Sequence, residues 1–378
     1  MPGSGQIAAI AGTPLKLREW SEEEFAASKA VWDDLVASSD ADPLFMSWDW
    51  QWRWWKHHSP SLDATLRLVG LYSGDGLVGV APFYARNVLA RGRFRACRLE
   101  LVGNAWRHPH AAFSDYLDII ARSDLRGGVL EALGRWLRRE GRWDELAFCC
   151  VRRDGVAAQL VGLLKSFAFA REVDPLSAWC ARLPSRFDQY IERLGSDTRR
   201  KLFNQRRKLS GPQIRFAEEG QVADVLRELW RCSSDRWGDA AGTARFQDFH
   251  LDFARCMARS GRLRLSQLVT REGTLSAMYN VRVGSTIYYL QSGFDPARSQ
   301  GLSPGYLHFG YAIEAACAEG AERFDLLAGR GRHRDYKRDF QTECVPLINY
   351  HIVRRPLARM LYAMHGVLLK CRNSLQFR

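Results

Sequence analysis

The chain has 378 residues, of which 46% are hydrophobic and 12% aromatic, enough to bury sizeable cores in roughly two domains of ~150 residues each. Its formal net charge of +13 makes a field that attracts anions: nucleotide cofactors, nucleic acid, nucleotide-sugar lipids or an acidic membrane surface. No stretch reaches the ~18 apolar residues of a membrane span, and the N-terminus lacks the basic and apolar regions of a signal peptide. Nine cysteines without a C-x-x-C pair fit buried thiols in a reducing cytoplasm better than a disulfide framework or a zinc site.

In chain order, the first strong feature is the tryptophan-rich run from Phe45 to Trp55. Phe45, Trp48, Trp52 and Trp55 fit one helical face, with Trp50 and Trp54 beside it. Core packing or a domain seam is the usual reason for such a run; a stacking surface for sugar or base rings is the rival. Leu66 to Val80 then reads as a hairpin and recurs without a gap as Leu263 to Ala277. His108 and His110 resemble a ligand pair, but no third ligand has a supporting spacing, so no metal is assigned. Ser114-Asp115-Tyr116-Leu117 enters an expected strand, where Asp115 and Tyr116 can reach a cleft. A helix follows over Val129 to Glu140, then Gly141 and a strand opening Trp143-Asp-Glu-Leu. The second half repeats that order with Tyr306 to Glu319, Gly320 and Phe324-Asp-Leu-Leu. Two copies of one α/β unit account for both matches.

Between the copies, Phe187 to Leu194 and Asp197 to Leu209 read as helices broken at Gly195. The second carries TRRKLFNQRRKL, with Arg200, Asn204 and Arg207 on one face to meet an anion and Leu202 and Leu209 on another to pack. Farther on, Thr286 to Ser292 reads as a strand and Arg298 to Gly305 as a glycine-bearing loop. Ser303 as N-cap and Pro304 at the first position start a helix that Gly320 stops, with Tyr306, Phe309, Ile313, Ala316 and Cys317 on one face. Free N–H groups at such a start attract phosphate oxygens.

The chemistry candidates follow that helix. In the loop after Phe324-Asp325, Lys337 can stabilise an oxyanion or hold a phosphate or carboxylate. Tyr336 or His333 can shuttle a proton, and Asp325 can orient an amine or accept its proton. A structural hydrogen bond is the alternative for Asp325, and an exposed loop position for His333. Neither a Gly-x-Ser-x-Gly elbow nor a Walker loop is present. The basic run from Arg354 to Arg378 reads as an amphipathic helix that docks on its own domain or touches an anionic membrane surface.

Taken in order, FMSWDWQWRWW, LVGVAPFYAR, SDYLDII, RRKLFNQRRKL, YYLQSGFDPARSQGLSPGYL and FDLLAGRGRHRDYKRDF resemble the GNAT-type acetyltransferases of the cellulose- and exopolysaccharide-biosynthesis (CelD-like) group. That group is related to the Fem aminoacyl transferases. The resemblance implies an α/β fold of tandem duplicated GNAT-like domains, each a mixed, mainly antiparallel sheet flanked by helices. The expected boundaries are 13–183 for a first domain without cofactor, 184–216 for a basic helical connector, 217–353 for the acyltransferase domain and 354–378 for the terminal helix. It implies transfer from acetyl-CoA or another acyl-CoA to an amine acceptor, an amino sugar or a polysaccharide precursor, by direct attack on the thioester. Arg298, Gly301, Ser303 and Gly305 fall where that fold places the pyrophosphate loop, and Leu290 and Ser292 of the strand, Leu302 and Tyr306 complete the expected cofactor-binding set. By the resemblance Lys337 falls near the reacting groups, and Asp115 and Tyr116 near the acceptor; the residue readings above add Asp325 and Tyr336 as catalytic candidates and Arg200, Asn204 and Arg207 as acceptor-binding ones. The loop departs from the family pattern with Gly-x-Ser-Pro-Gly, and the first-copy equivalent near Ser123 lacks the full pattern. Two rivals remain: an aminoacyl-tRNA-dependent Fem-like ligase, weakened by the lack of a long coiled-coil arm, and a non-catalytic accessory of polysaccharide synthesis.

Overall fold

The computed structural model describes residues 14–90, 94–108, 111–139, 142–237, 243–299, 301–329 and 336–354. The first half runs β1 (Lys16–Glu19), α1 (Glu22–Ala27), α2 (Lys29–Ala37), α3 (Trp48–Leu62), β2 (Ala64–Leu66), β3 (Val69–Ser73), β4 (Gly76–Ala81), β5 (Phe83–Ala90), β6 (Phe94–Leu101), β7 (Ile120–Ala121), α4 (Arg126–Arg139), β8 (Glu145–Arg152), α5 (Val156–Leu164) and β9 (Phe169–Arg182). The second runs α6 (Phe187–Arg193), α7 (Ser196–Leu202), β10 (Gln213–Phe216), α8 (Val222–Trp237), α9 (Ala244–Arg259), β11 (Leu263–Thr270), β12 (Gly273–Val283), β13 (Thr286–Phe294), α10 (Pro304–Ala318), β14 (Arg323–Asp325) and β15 (Thr342–Val353).

The repeat seen in the sequence is a repeat of structure, with one break. In the second half β11 and β12 form a continuous hairpin. Their counterparts are interrupted at Arg67–Leu68 and Pro82, because proline cannot donate to a ladder. As a result β3 and β4 join β1 and β7 in a four-stranded sheet, while β2 and β5 stay in the main sheet.

That main sheet has 11 strands in the order β10-β11-β12-β13-β14-β9-β15-β8-β6-β5-β2. At its centre the halves exchange their last strands. β9 pairs with β14, and β15 pairs with β8, while β9 and β15 pair with each other over Phe169↔Val353 to Ala181↔Thr342. Neither half therefore completes its own sheet.

Helices α3 and α9 meet at this seam. Trp50 lies edge-on to Phe249 and Phe253, with ring centroids 5.0 and 4.8 Å apart. Fully burying each Phe contributes roughly 1.5–3 kcal/mol. Contact with α9 corrects the expected helix face: Trp50, Trp54 and Trp55 are the deeply buried residues, while Trp48 and Trp52 are only partly covered. The Trp50 and Trp54 indoles also donate to Ser114 Oγ and the Ala112 carbonyl, both at 2.8 Å. They pin the loop that carries Asp115 and Tyr116. That segment is irregular until Ile120, not the strand its sequence suggested.

Candidate active site

β13 and β14 run parallel for only three pairs, Thr286↔Arg323, Ile287↔Phe324 and Tyr288↔Asp325. Beyond them the strands diverge. β14 ends because the chain turns through Leu327, which has φ 58°. Lys337 Nζ fixes that turn by donating to the carbonyls of Leu326, Leu327 and Ala328 at 2.6, 2.9 and 2.6 Å. β13 meanwhile continues to Phe294 with a bulge: Tyr279 faces Gln291 and Asn280 faces Tyr289, so Leu290 has no partner on β12. Such a bulge releases a backbone group from its ladder beside a site. Ser292, farther along, shares a hydrogen bond with the Tyr289 hydroxyl at 2.7 Å.

At the base of the divergence, both halves contribute to one polar cluster. The Tyr116 hydroxyl donates to Asp325 Oδ2 at 2.9 Å, and the Leu327 N–H donates to Asp325 Oδ1 at 2.7 Å. The Tyr288 hydroxyl donates to Asp42 Oδ2 at 3.0 Å. The Ala328 N–H donates to Asp115 Oδ2 at 2.8 Å, and Asp115 Oδ1 has no hydrogen-bond partner among the described residues. Tyr116 and Leu327 are both non-glycine residues in the left-handed region, at φ 55° and 58°. Strain of this kind gathers where a structure holds a side chain for a purpose. Burial pushes Asp325 up to about 7, helped by the nearby Asp42 and Asp115 charges and opposed by the two hydrogen bonds it accepts. Burial also raises Asp42 and Asp115, each to about 6.

A cavity of about 680 Å³ opens on this face, between the second-half sheet and first-half loops. Tyr116, Tyr288, Asp325 and Asp42 line it, with Arg262 and Arg323. Asp42 and Tyr288 were absent from the sequence-derived candidates. Tyr288 carried a usable signal, since it and Leu290 share a strand face, but Asp42 is brought in by the fold alone.

The expected cofactor loop lies between β13 and α10. Gly301 has φ 68°, which favours glycine, and a Cβ at Gly301 or Gly305 would meet nothing within 4 Å. The space beside these two glycines is open, but the expected free N–H groups are not all there: the Leu302 N–H donates to the Ser299 carbonyl at 3.0 Å. Ser303 stands at the N-cap, but its side chain makes no capping bond; its N–H donates to Gln205 Oε1 at 2.9 Å. Arg298 turns back onto the hairpin, with Nη1 3.3 Å from the Thr274 carbonyl and Nε 3.4 Å from Asp295. Leu302 packs beside Leu268, Leu275 and Leu307, and Tyr306 stacks on Phe340. Tyr336 lies in the same aromatic group, edge-on to Phe340.

The basic segment is not one helix. α7 ends at Leu202, Phe203 breaks it, and Asn204–Lys208 is a 3-10 turn. Arg200, Asn204 and Arg207 are exposed but do not share the helical face expected of them. The break lets Gln205 bury itself against Ser303 and Arg206 stack on Tyr311, 3.8 Å from the ring centroid. His333, His110 and 355–378, with the expected terminal helix, lie outside the described residues. Among the described residues no group of three or more His, Cys, Asp or Glu could hold a metal ion, and no helix is long and apolar enough to cross a membrane.

Residues 196–338 match the family model for the Acetyltransferase (GNAT) domain. Among solved structures, FemX aligns at TM-score 0.58 and 12% identity, over 91% of this chain and 99% of its own. A conserved protein of unknown function from Bacteroides thetaiotaomicron aligns at 0.55 and 10% identity, over 90% and 100%. A tandem GNAT protein from the clavulanic acid biosynthesis pathway aligns at 0.41 and 12%, over 90% and 99%. No curated protein matches the sequence. The matched residues lie in the second half of a GNAT-like α/β fold of mixed sheets flanked by helices.

Proposed function

We propose that the protein is an acyl-CoA-dependent N-acyltransferase acting on an amine of the amino-sugar or polysaccharide-precursor class. One observation carries this reading. The β13–β14 divergence, with its Leu290 bulge, leads on one side to the open Gly301–Gly305 loop and on the other to an acidic cavity. Gly301, Ser303 and Gly305 would hold the pyrophosphate, and the strand past Leu290 the pantetheine arm. When bound, acetyl-CoA supplies an activated acyl thioester.

The chain's own residues then handle the amine. An ammonium entering the cavity meets Asp325, which at about 7 is poised to take its proton near neutral pH. Tyr116 orients that carboxylate, and the bulged backbone at Leu290 offers an N–H to the developing oxyanion. Lys337, held on three carbonyls, serves by fixing the loop beside Asp325.

Calorimetric titration with acetyl-CoA tests the reading. We expect micromolar binding by the wild-type protein and none by Gly301→Glu, whose carboxylate enters the loop and whose φ of 68° opposes a side chain. No binding by the wild-type protein would reject it. A second donor, aminoacyl-tRNA, is favoured by the exposed Arg200, Arg207 and Lys208 beside α10. It predicts RNA binding that falls steeply with salt.

A further inference from the structure

The cavity is not uniformly acidic. Its floor, at the last strand pair, is Asp325 with Tyr116, Tyr288 and Asp42. Two residues back along β13 and β14 lie Thr286 and Arg323, on the same face because strand side chains alternate. The Arg323 Nε donates to Thr286 Oγ1 at 3.2 Å and has no carboxylate partner among the described residues. Arg262 lines the same end, next to Val283, and its guanidinium has no hydrogen-bond or ion-pair partner among the described residues. Both arginines are exposed at the mouth, whereas Asp325 is only 6% exposed.

Asp33, Asp40, Asp49 and Arg152 line the cavity as well. Arg262, just before β11, and Arg323, on β14, have two strands between them and no carboxylate partner among the described residues, so each guanidinium can take an oxyanion, carboxylate or phosphate. A buried carboxylate at the other end suits an amine. Two residues of strand separate Arg323 from Asp325, about 7 Å. We propose that the acceptor carries its own anion: an amine at one end and a carboxylate or phosphate roughly 7 Å or more away, held by Arg262 and Arg323. The proposal rests on the reading of this cavity as the acceptor site. Asp325 and Asp42 at the floor, with Asp33, Asp40 and Asp49 elsewhere in the lining, disfavour a ligand that is anionic throughout, and the two arginines disfavour one that is cationic throughout, such as a polyamine.

The test separates this proposal from the donor reading by measuring acceptor binding without any acyl-CoA. Three probes share one spacer: 6-aminohexanol, 6-aminohexanoate and 6-aminohexyl phosphate. Calorimetry should show the wild-type protein binding one or both anionic probes about tenfold more tightly than the alcohol, as charge-assisted hydrogen bonds imply. The preferred anion tells carboxylate from phosphate. Arg323→Gln and Arg262→Gln, both at exposed positions, should each remove most of that preference and leave the alcohol's affinity unchanged. Equal binding of all three probes, failure of all three to bind, or equal losses for all three in the variants would overturn the inference. Loss of acetyl-CoA binding with the anion preference intact would instead count against the donor reading alone.

Discussion

The two halves build the same parallel step and then treat it in opposite ways. In the first half the pairs are Arg98↔Glu145, Leu99↔Leu146 and Glu100↔Ala147. The neighbouring β5–β6 ladder runs without a bulge from Phe83↔Leu101 to Ala90↔Phe94. Charged side chains close that step. Arg98 donates to Glu145 at 2.9 and 2.7 Å, Arg86 to Glu100 at 2.8 Å, and the Trp106 N–H to Glu100 at 2.6 Å. Taken pair for pair, Asp325 of the second half corresponds to Ala147 and Tyr288 to Glu100. One copy spends its polar groups on each other, as a structural network. The other leaves Asp325 beside a cavity, with its titration shifted to near neutrality. The two halves thus share one strand arrangement and differ in the side chains set on it.

The largest expected effect breaks the second half alone. Asp325→Asn should lower acyl transfer by about 10²–10⁴-fold, the range for loss of a positioned base, with acetyl-CoA affinity unchanged. In the wild-type protein the rate of acyl transfer should rise with pH through about 7, as Asp325 loses its proton, and this limb should vanish in the variant. Turnover unaffected by the change would remove Asp325 from the mechanism. Stability carries a sign as well. A carboxyl raised from 3.8 to about 7 favours the folded state below 3.8, a contribution lost as pH rises through 7. Glu145 is the reverse. Burial would raise it, but the His351 hydrogen bond and the Arg98 charge hold it at about 2, so its contribution exists above 4.5 and disappears as pH falls through 2.

The next effect falls on the first half. Arg98→Met removes the guanidinium from Glu145, which is 1% exposed, and should cost about 3–5 kcal/mol in urea unfolding, as breaking a buried pair does. At the matching edge of the second half, Arg323→Gln should stay within about 0.5 kcal/mol, as surface changes do. Similar losses for both would mean that the halves are equally structural here.

Much of the second half was legible because its signals are local. The strand from Thr286, the proline start of α10 and the Gly320 stop each depend on a few adjacent residues, and the structure places β13 and α10 there. The repeated hairpin was legible for the same reason. What stayed hidden depends on distant partners. Nothing in the Phe169–Arg182 or Thr342–Val353 sequences says that each strand completes the other copy's sheet, since pairing is set by the whole topology. Asp42 reaches the site only because Tyr288, far along the chain, closes on it. The basic run misled because helical periodicity ignores Gln205, whose bond to Ser303 wins over continuing α7. Lys337 was expected to meet an oxyanion or phosphate, whereas its amine is held by three carbonyls of the turn at Leu327, which no local pattern announces.

The smallest effect compares one glycine in each crossing helix. Gly134 lies in α4, and a Cβ there would sit 3.5 Å from Leu163 Cδ1, an ordinary contact. Gly134→Ala should therefore stabilise by about 0.5–1 kcal/mol, because alanine gives up less backbone freedom on folding. Gly310 occupies α10, where a Cβ would come within 2.3 Å of the Leu202 carbonyl oxygen, at the end of α7. That neighbour is backbone and can yield only if α7 moves. Gly310→Ala should then cost about 1–3 kcal/mol despite the better helix former, as overpacking does. On melting, the two variants should shift in opposite directions by a few degrees each. The α7 shift should also carry Gln205 away from the Ser303 N–H, so Gly310→Ala should weaken acetyl-CoA binding while Gly134→Ala does not. A higher melting temperature in both variants would show that α7 does not rest on α10, and that the basic segment is not held against the loop.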